Sequence, residues 1–202
     1  MDNNPIQLPG GYRQSDYLLV LSPHEELKNK ILHVKEAFRE KYKTSMPATK
    51  PHITLVKFTG LQMMEERLVQ RLHIISMGTS PFKIDLKDYG SFPTHSIYIN
   101  IVTKNAIQEL VKELRSARRL MKSPDNDPHY IMEPHISIAM KLLPWQFEQG
   151  WLEYSHRHFS GSFIADGMLL LRKREGETKY QIVQRFEFMN LPVTTKQGEL
   201  FV

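Results

Sequence analysis

The chain has no cysteine and only two tryptophans, and none of its apolar runs approaches the roughly twenty residues needed to cross a bilayer. The absence of cysteine excludes a disulfide framework, a thiol nucleophile and a Cys-ligated zinc site. The absence of a long apolar run leaves no expected membrane-spanning helix. Residues 1–14 (MDNNPIQLPGGYRQ) hold neither a basic cluster nor an apolar segment of the secretory kind, so the expected location is the cytoplasm. An acidic excess is also missing: 27 Lys+Arg stand against 22 Asp+Glu, a net charge of +5. So mild a positive balance permits an anionic partner without identifying one. What is present is ordinary for a globular protein, with 202 residues, 41% of them hydrophobic and 24% charged. That length suffices for one domain, or a small bilobal one, with a substantial core. There are nine histidines, and two of them stand in matching phrases.

The hydrophobic pattern alternates between strand and helix. Tyr17 to Leu21 is a short apolar run that reads as a buried strand. Ser22-Pro23-His24-Glu25 reads as a helix start, with Ser22 as cap, Pro23 in the first turn and Glu25 closing a capping box. Leu27, Ile31, Val34, Phe38 and Tyr42 form one helical face, and the helix is expected to end before Pro47. His52 to Phe58 is the next strand, expected to break at Thr59-Gly60, followed by a helix carrying Leu61, Met64, Leu68, Leu72 and Ile75. Phe82 to Leu86 and Ser96 to Val102 alternate as half-buried strands. Ile107, Leu110, Val111, Leu114 and Met121 mark a third helix, and residues 123–128 a polar loop. Ile136 to Met140 lies in a strand, and a helix after Pro144 carries Phe147, Trp151 and Tyr154. Gly161 to Leu171 and Tyr180 to Met189 read as two strands of a hairpin turning at Glu175-Gly176-Glu177. From Pro192 onward a mobile tail is expected.

The element order repeats, with a second half beginning near Ser96. At the same stage of each half stand Pro51-His52-Ile53-Thr54-Leu55 and Pro134-His135-Ile136-Ser137-Ile138. Such a recurrence points to internal duplication. Side chains alternate faces along a strand, so His52 shares a face with Thr54, and His135 with Ser137. The apolar residues between them pack on the other face. If the repeats pack about a pseudo-twofold axis, the two His–hydroxyl pairs face each other across a cleft. Two imidazoles with ordinary pKa near 6.5 can serve as base and acid at neutral pH. Two hydroxyls can donate hydrogen bonds to the non-bridging oxygens of a phosphate. That set suits phosphodiester cleavage without a metal.

The paired H-x-(T/S)-x phrases resemble those of the 2H phosphoesterase superfamily, in its 2′-5′ RNA ligase-like and cyclic phosphodiesterase branch. Gly90-Ser91-Phe92-Pro93, followed by Ser96-Ile97-Tyr98-Ile99, is also similar to a segment of that family. The resemblance runs from Tyr17 to about Met189. It implies a bilobal α+β fold with two antiparallel sheets around a central groove and helices outside. It implies one domain of two related halves, at about 15–95 and 96–190, with flexible ends. It implies His52 and His135 as the acid–base pair, and Thr54 and Ser137 as donors to the phosphate. The implied substrates are RNA ends or small nucleotides with 2′,3′-cyclic phosphate or 2′-5′ bonds. The chain departs from the family in having Ser137 where many members have Thr, and Met140 then Lys141 where many have an Arg at the former position. Lys offers a point charge and cannot bind phosphate in bidentate fashion.

Tyr98, on the polar face of its strand, can stack on a base or hydrogen-bond a phosphate, and is equally suited to filling the groove. Tyr130 and Lys141 are further candidates to line the groove. Phe92 reads as a packing residue at a turn, and His95 fits no further pattern. No cofactor and no metal are expected, since neither motif offers a carboxylate at ligand spacing. The expected protein is a monomer that engages no membrane. A non-catalytic RNA- or nucleotide-binding module on the same scaffold is the alternative.

Overall fold

The computed structural model describes residues 13–45, 49–124 and 126–191. Among these the order is β1 (Gln14–Leu21), α1 (Glu25–Tyr42), β2 (Ile53–Leu61), α2 (Glu65–Gly78), β3 (Phe82–Phe92), β4 (Ser96–Ile101), α3 (Lys104–Leu114), α4 (Arg118–Met121), β5 (His129–Tyr130), β6 (His135–Ala139), α5 (Pro144–Tyr154), β7 (Ser160–Ala165), β8 (Gly167–Arg174) and β9 (Gln181–Glu187). Two antiparallel sheets result, one ordered β5-β2-β1-β8-β9 and the other β6-β4-β3-β7. Helices α2, α3 and α4 pack on the first sheet, and α1 and α5 on the second. The apolar stripes of the helices and the covered faces of the sheets form one core, in which Leu19, Leu55, Ile97, Ile99, Ile136 and Leu170 are buried.

The strand pairing follows a similar order in the two halves of the sequence. In the first half β1, α1 and β2 succeed one another, and β2 pairs back on β1. In the second, β4 is followed by α3 and, after α4 and β5, by β6, which pairs back on β4. The next long strand of each half crosses over: β3 pairs with β4, and β8 with β1. Each sheet therefore contains strands from both halves of the sequence. The helices cross as well, since α1 lies against β6 while α3 and α4 lie against β2.

Several local expectations are corrected. No side-chain cap forms at α1, whose cap position is His24. Pro23 holds Ser22 extended, so the chain turns two residues later than expected, and the Lys28 N–H donates to the His24 carbonyl at 2.9 Å. Thr59-Gly60 does not break β2, which stays paired with β1 as far as Leu61 opposite Gln14. Leu61 therefore belongs to the strand, and a 3-10 turn over Gln62–Met64 precedes α2. A 3-10 turn over Arg115–Ala117 likewise divides the expected third helix into α3 and α4. The expected single strand from Gly161 to Leu171 is two strands, β7 on β3 and β8 on β1, with the chain changing sheets at Asp166. Gly167 permits this, because a Cβ there would lie 2.5 Å from the Phe186 carbonyl oxygen. The β8–β9 hairpin forms as expected. The expected tail from Pro192 and the Pro47 boundary lie outside the described residues.

Two features lock the frame around the motif strands. Gln146 in the first turn of α5 accepts from the Leu143 N–H at 2.9 Å and donates to the Tyr42 carbonyl at 2.8 Å, joining α5 to the end of α1. Glu65 on α2 accepts from the Tyr17 hydroxyl at 2.9 Å and from Arg172 through both carboxylate oxygens at 2.8 Å, fastening α2 to β1 and β8.

Candidate active site

The two motif strands come close to one another, each from its own sheet. In both, the register slips at the same place. Leu19 pairs with Val56 but Val20 with Thr54, so Leu55 is an extra residue. Ile97 pairs with Ala139 but Tyr98 with Ser137, so Ile138 is extra. A bulge turns the following residues over. Val56 and Phe58 thereby join Ile53 on the helix-covered side, while exposed Lys57 joins Thr54 on the open side. Ala139 likewise joins Ile136 in the core. His52 with Thr54, and His135 with Ser137, are left half-buried on the open faces.

Both motif histidines are held in the same way. The His52 Nδ1–H donates to the Lys50 carbonyl at 2.8 Å, and the His135 Nδ1–H to the Glu133 carbonyl at 2.9 Å. A carbonyl can only accept, so in the neutral ring the proton sits on Nδ1 and Nε2 is an acceptor. The proline between carbonyl and ring fixes its own φ and keeps the preceding residue extended. This is the physical content of the repeated X-Pro-His phrase. The Glu133 carboxylate is engaged elsewhere, by Lys104 at 2.6 Å. Burial pushes the His52 imidazole below its ordinary pKa; the Lys50 hydrogen bond opposes this, and the positive charges of Lys35 and His135 lower it further. Both of those groups are therefore within electrostatic reach of His52.

Around His135 the site is aromatic. The Tyr98 and Phe92 rings each lie 5.0 Å from its imidazole, and 4.6 Å from each other. His95 stacks on the far end of this group, 6.4 Å from Phe92, and its Nδ1–H donates to the Pro93 carbonyl at 3.0 Å. Asn100 stands directly across from His135 and Tyr98 across from Ser137, so these four side chains share the open face. Gly90 pairs with Tyr98 and leaves room for its ring: a Cβ there would fall 2.6 Å from both Tyr98 Cε2 and Asn100 Oδ1.

The other candidates fall elsewhere. Tyr130 pairs with Val56 on the covered side, reaching Met121 Sδ at 4.0 Å with Arg115 against its ring, so it does not line the open face. Its neighbour His129 stands opposite Lys57. Lys141 is exposed, in a left-handed conformation at the bend after β6. Phe92 and His95 are nearer the second motif than sequence reasoning suggested. The signal was the short β3–β4 hairpin, which puts Phe92 opposite Ser96 and hence on the face of Tyr98. Lys35 was missed because it occupies a core position in the stripe of α1. Among the described residues no group of three or more His, Asp or Glu is arranged to hold a metal ion. No described helix is long and apolar enough to cross a membrane. A separate concavity of about 710 Å³, lined by Lys30, Asp85, Asp88, His158 and Ser160 among others, contains neither motif histidine.

This geometry agrees with comparison to known proteins. Residues 23–177 match the model of the 2′-5′ RNA ligase superfamily. A provisionally named phosphoesterase of Bacillus pumilus is 27% identical over 132 residues, covering 62% of this chain and 70% of that protein. One of the same provisional name from Staphylococcus aureus is 21% identical over 159 residues, covering 75% and 89%. In structure, TT0787 of Thermus thermophilus superposes with a TM-score of 0.64 at 17% identity, covering 86% of this chain and 98% of that one. Escherichia coli LigT complexed with 3′-AMP superposes with a TM-score of 0.60 at 17% identity, covering 87% and 98%. Two antiparallel sheets with the same fold, a family match over most of the chain and a His–hydroxyl pair on each motif strand lead to one assignment: the chain belongs to the 2′-5′ RNA ligase superfamily, within the 2H phosphoesterases.

Proposed function

We propose that this protein is a metal-independent phosphodiesterase that opens, or in reverse forms, 2′,3′-cyclic phosphate or 2′-5′ bonds of RNA ends or small nucleotides. The observation that carries the reading is the equivalence of the two histidines. Each ring is fixed through Nδ1 on the carbonyl two residues back, each shares an open face with a hydroxyl, and the charge of one is felt by the other. In hydrolysis one Nε2 takes a proton from water as its oxygen attacks phosphorus. The other, protonated, ring gives its proton to the leaving oxygen. One P–O bond forms and one breaks, and the rings end with their protonation exchanged, to be reset by solvent. Thr54 and Ser137 donate hydrogen bonds to the non-bridging oxygens, where negative charge builds up. Tyr98, Phe92 and Asn100 border the site beside His135. The fold-likeness to LigT, solved in complex with 3′-AMP, phosphate and ATP, supports a small-nucleotide ligand.

The second reading is a binding module without turnover, favoured by Met140 in place of the family's Arg. A panel of 2′,3′-cyclic mononucleotides, 2′-5′ dinucleotides and RNA with cyclic phosphate ends, incubated in EDTA, separates the two. Turnover of at least one substrate is expected. Tight binding with no product over days supports the module and overturns the enzyme.

A further inference from the structure

We infer that Lys35 is a positioning residue of this site: its ammonium braces, through Thr49, the segment that aims the His52 ring. The inference rests on the acid–base reading above. The buried stripe of α1 is Leu27, Ile31, Lys35, Phe38 and Tyr42, so a cation stands where the helical period demands an apolar side chain. Lys35 is only 6% exposed. Placing an ammonium there costs stability unless something is gained. Its one hydrogen-bond partner among the described residues is Thr49 Oγ1, at 3.0 Å. Thr49 begins the segment Thr49-Lys50-Pro51-His52, whose Lys50 carbonyl holds the His52 Nδ1–H at 2.8 Å. Lys35 therefore ties α1 to the segment that fixes the ring. Because α1 lies against β6, the same helix touches the second motif strand. The helix that carries Lys35 thus reaches both motif strands from the core side.

The ammonium also acts on the ring through its charge. The groups that act on His52 are the Lys50 carbonyl, Lys35 from α1 and His135 from β6, and both cations oppose its protonation. Burial pushes Lys35 itself down to about 8, which still leaves it charged at neutral pH. His135 instead has the Phe92 and Tyr98 rings beside it.

Four proteins test this: the wild type, Lys35→Met, Lys35→Arg and Thr49→Val. The histidine C2–H resonances are titrated by NMR, and pH–rate profiles are recorded on any substrate that is turned over. In Lys35→Met the His52 midpoint is expected to move up, the acidic limb of kcat/KM to move with it, and kcat/KM at pH 7 to fall about tenfold. Lys35→Arg, which keeps the charge, should leave the midpoint near that of the wild type. Thr49→Val alters an exposed residue and keeps the charge; it should lower kcat/KM without moving the midpoint. A His52 midpoint that stays in place in Lys35→Met overturns the inference. The titration needs no turnover, so its failure is distinguishable from failure of the catalytic reading.

Discussion

Gly90 is the point at which one added methyl group should disturb the site more than the fold. Its φ is not positive, so alanine meets no backbone strain there. The obstacle is space. A Cβ would lie 2.6 Å from Tyr98 Cε2, 2.8 Å from Tyr98 Cζ and 2.6 Å from Asn100 Oδ1. Restoring an ordinary 3.4 Å contact requires the Tyr98 ring to move by about 0.8 Å. The ring is not free to do so at no cost, since it lies 4.6 Å from Phe92 and 5.0 Å from His135. Overpacking of this kind costs about 1–3 kcal/mol. The assay is a double-mutant cycle by urea denaturation with Gly90→Ala, Tyr98→Ala and both. Removing the ring removes the main obstacle, and the Asn100 amide can rotate aside. Gly90→Ala should therefore cost about 1–3 kcal/mol in the wild type and little in Tyr98→Ala, a coupling of at least about 1 kcal/mol. Substrate turnover by Gly90→Ala should fall by more than the small unfolded fraction explains, because His135 loses its neighbour. If Gly90→Ala costs the same in both backgrounds, the ring is not what the glycine accommodates and the reasoning fails.

Two further outcomes follow from the core. The Lys35 ammonium is pushed down from 10.5 to about 8 by burial, so unfolding takes up a proton between those values and stability rises with pH there. The depression corresponds to about 3 kcal/mol of destabilisation while the group is charged. Lys35→Met should therefore be more stable than the wild type at pH 7 by up to about that amount, and the gap should close as pH rises through 8 to 10.5. Denaturation at several pH values checks this, and a pH-independent gap refutes it. Gly167→Ala presses its Cβ against the Phe186 carbonyl oxygen, a backbone atom that cannot turn away as a side chain can. A loss of at least about 2 kcal/mol is expected, read from the urea midpoint, and an unchanged midpoint contradicts the account of the sheet crossing.

The fold was legible where a periodic pattern and a local cause agreed. The apolar stripes of α1 and α3 and the alternation in β4 gave elements close to those observed. The repeated Pro-His-Ile phrase gave both motif strands and their faces as far as the hydroxyl. Beyond Thr54 and Ser137 simple alternation misassigns Val56 and Ala139, because the bulges at Leu55 and Ile138 depend on pairing across to β1 and β4. The change of sheet at Asp166 was hidden for a similar reason. A continuous apolar run cannot say which neighbour each of its residues pairs with. Lys35, Phe92 and His95 escaped because their meaning is tertiary. Lys35 looks like one misplaced residue in a helical stripe until Thr49, at the start of the segment that leads to His52, is found accepting its hydrogen bond. Phe92 looks like a turn residue until the hairpin register puts it against His135.

The central claim is that His52 and His135 act as one catalytic unit. It is tested most directly by single-turnover kinetics in EDTA on the best substrate of the panel, for His52→Ala, His135→Ala and the double variant, each shown to be folded. Each single change should lower the rate by several orders of magnitude, and the double change should be no worse than either, as for groups that work together. Full turnover by either single variant contradicts the account.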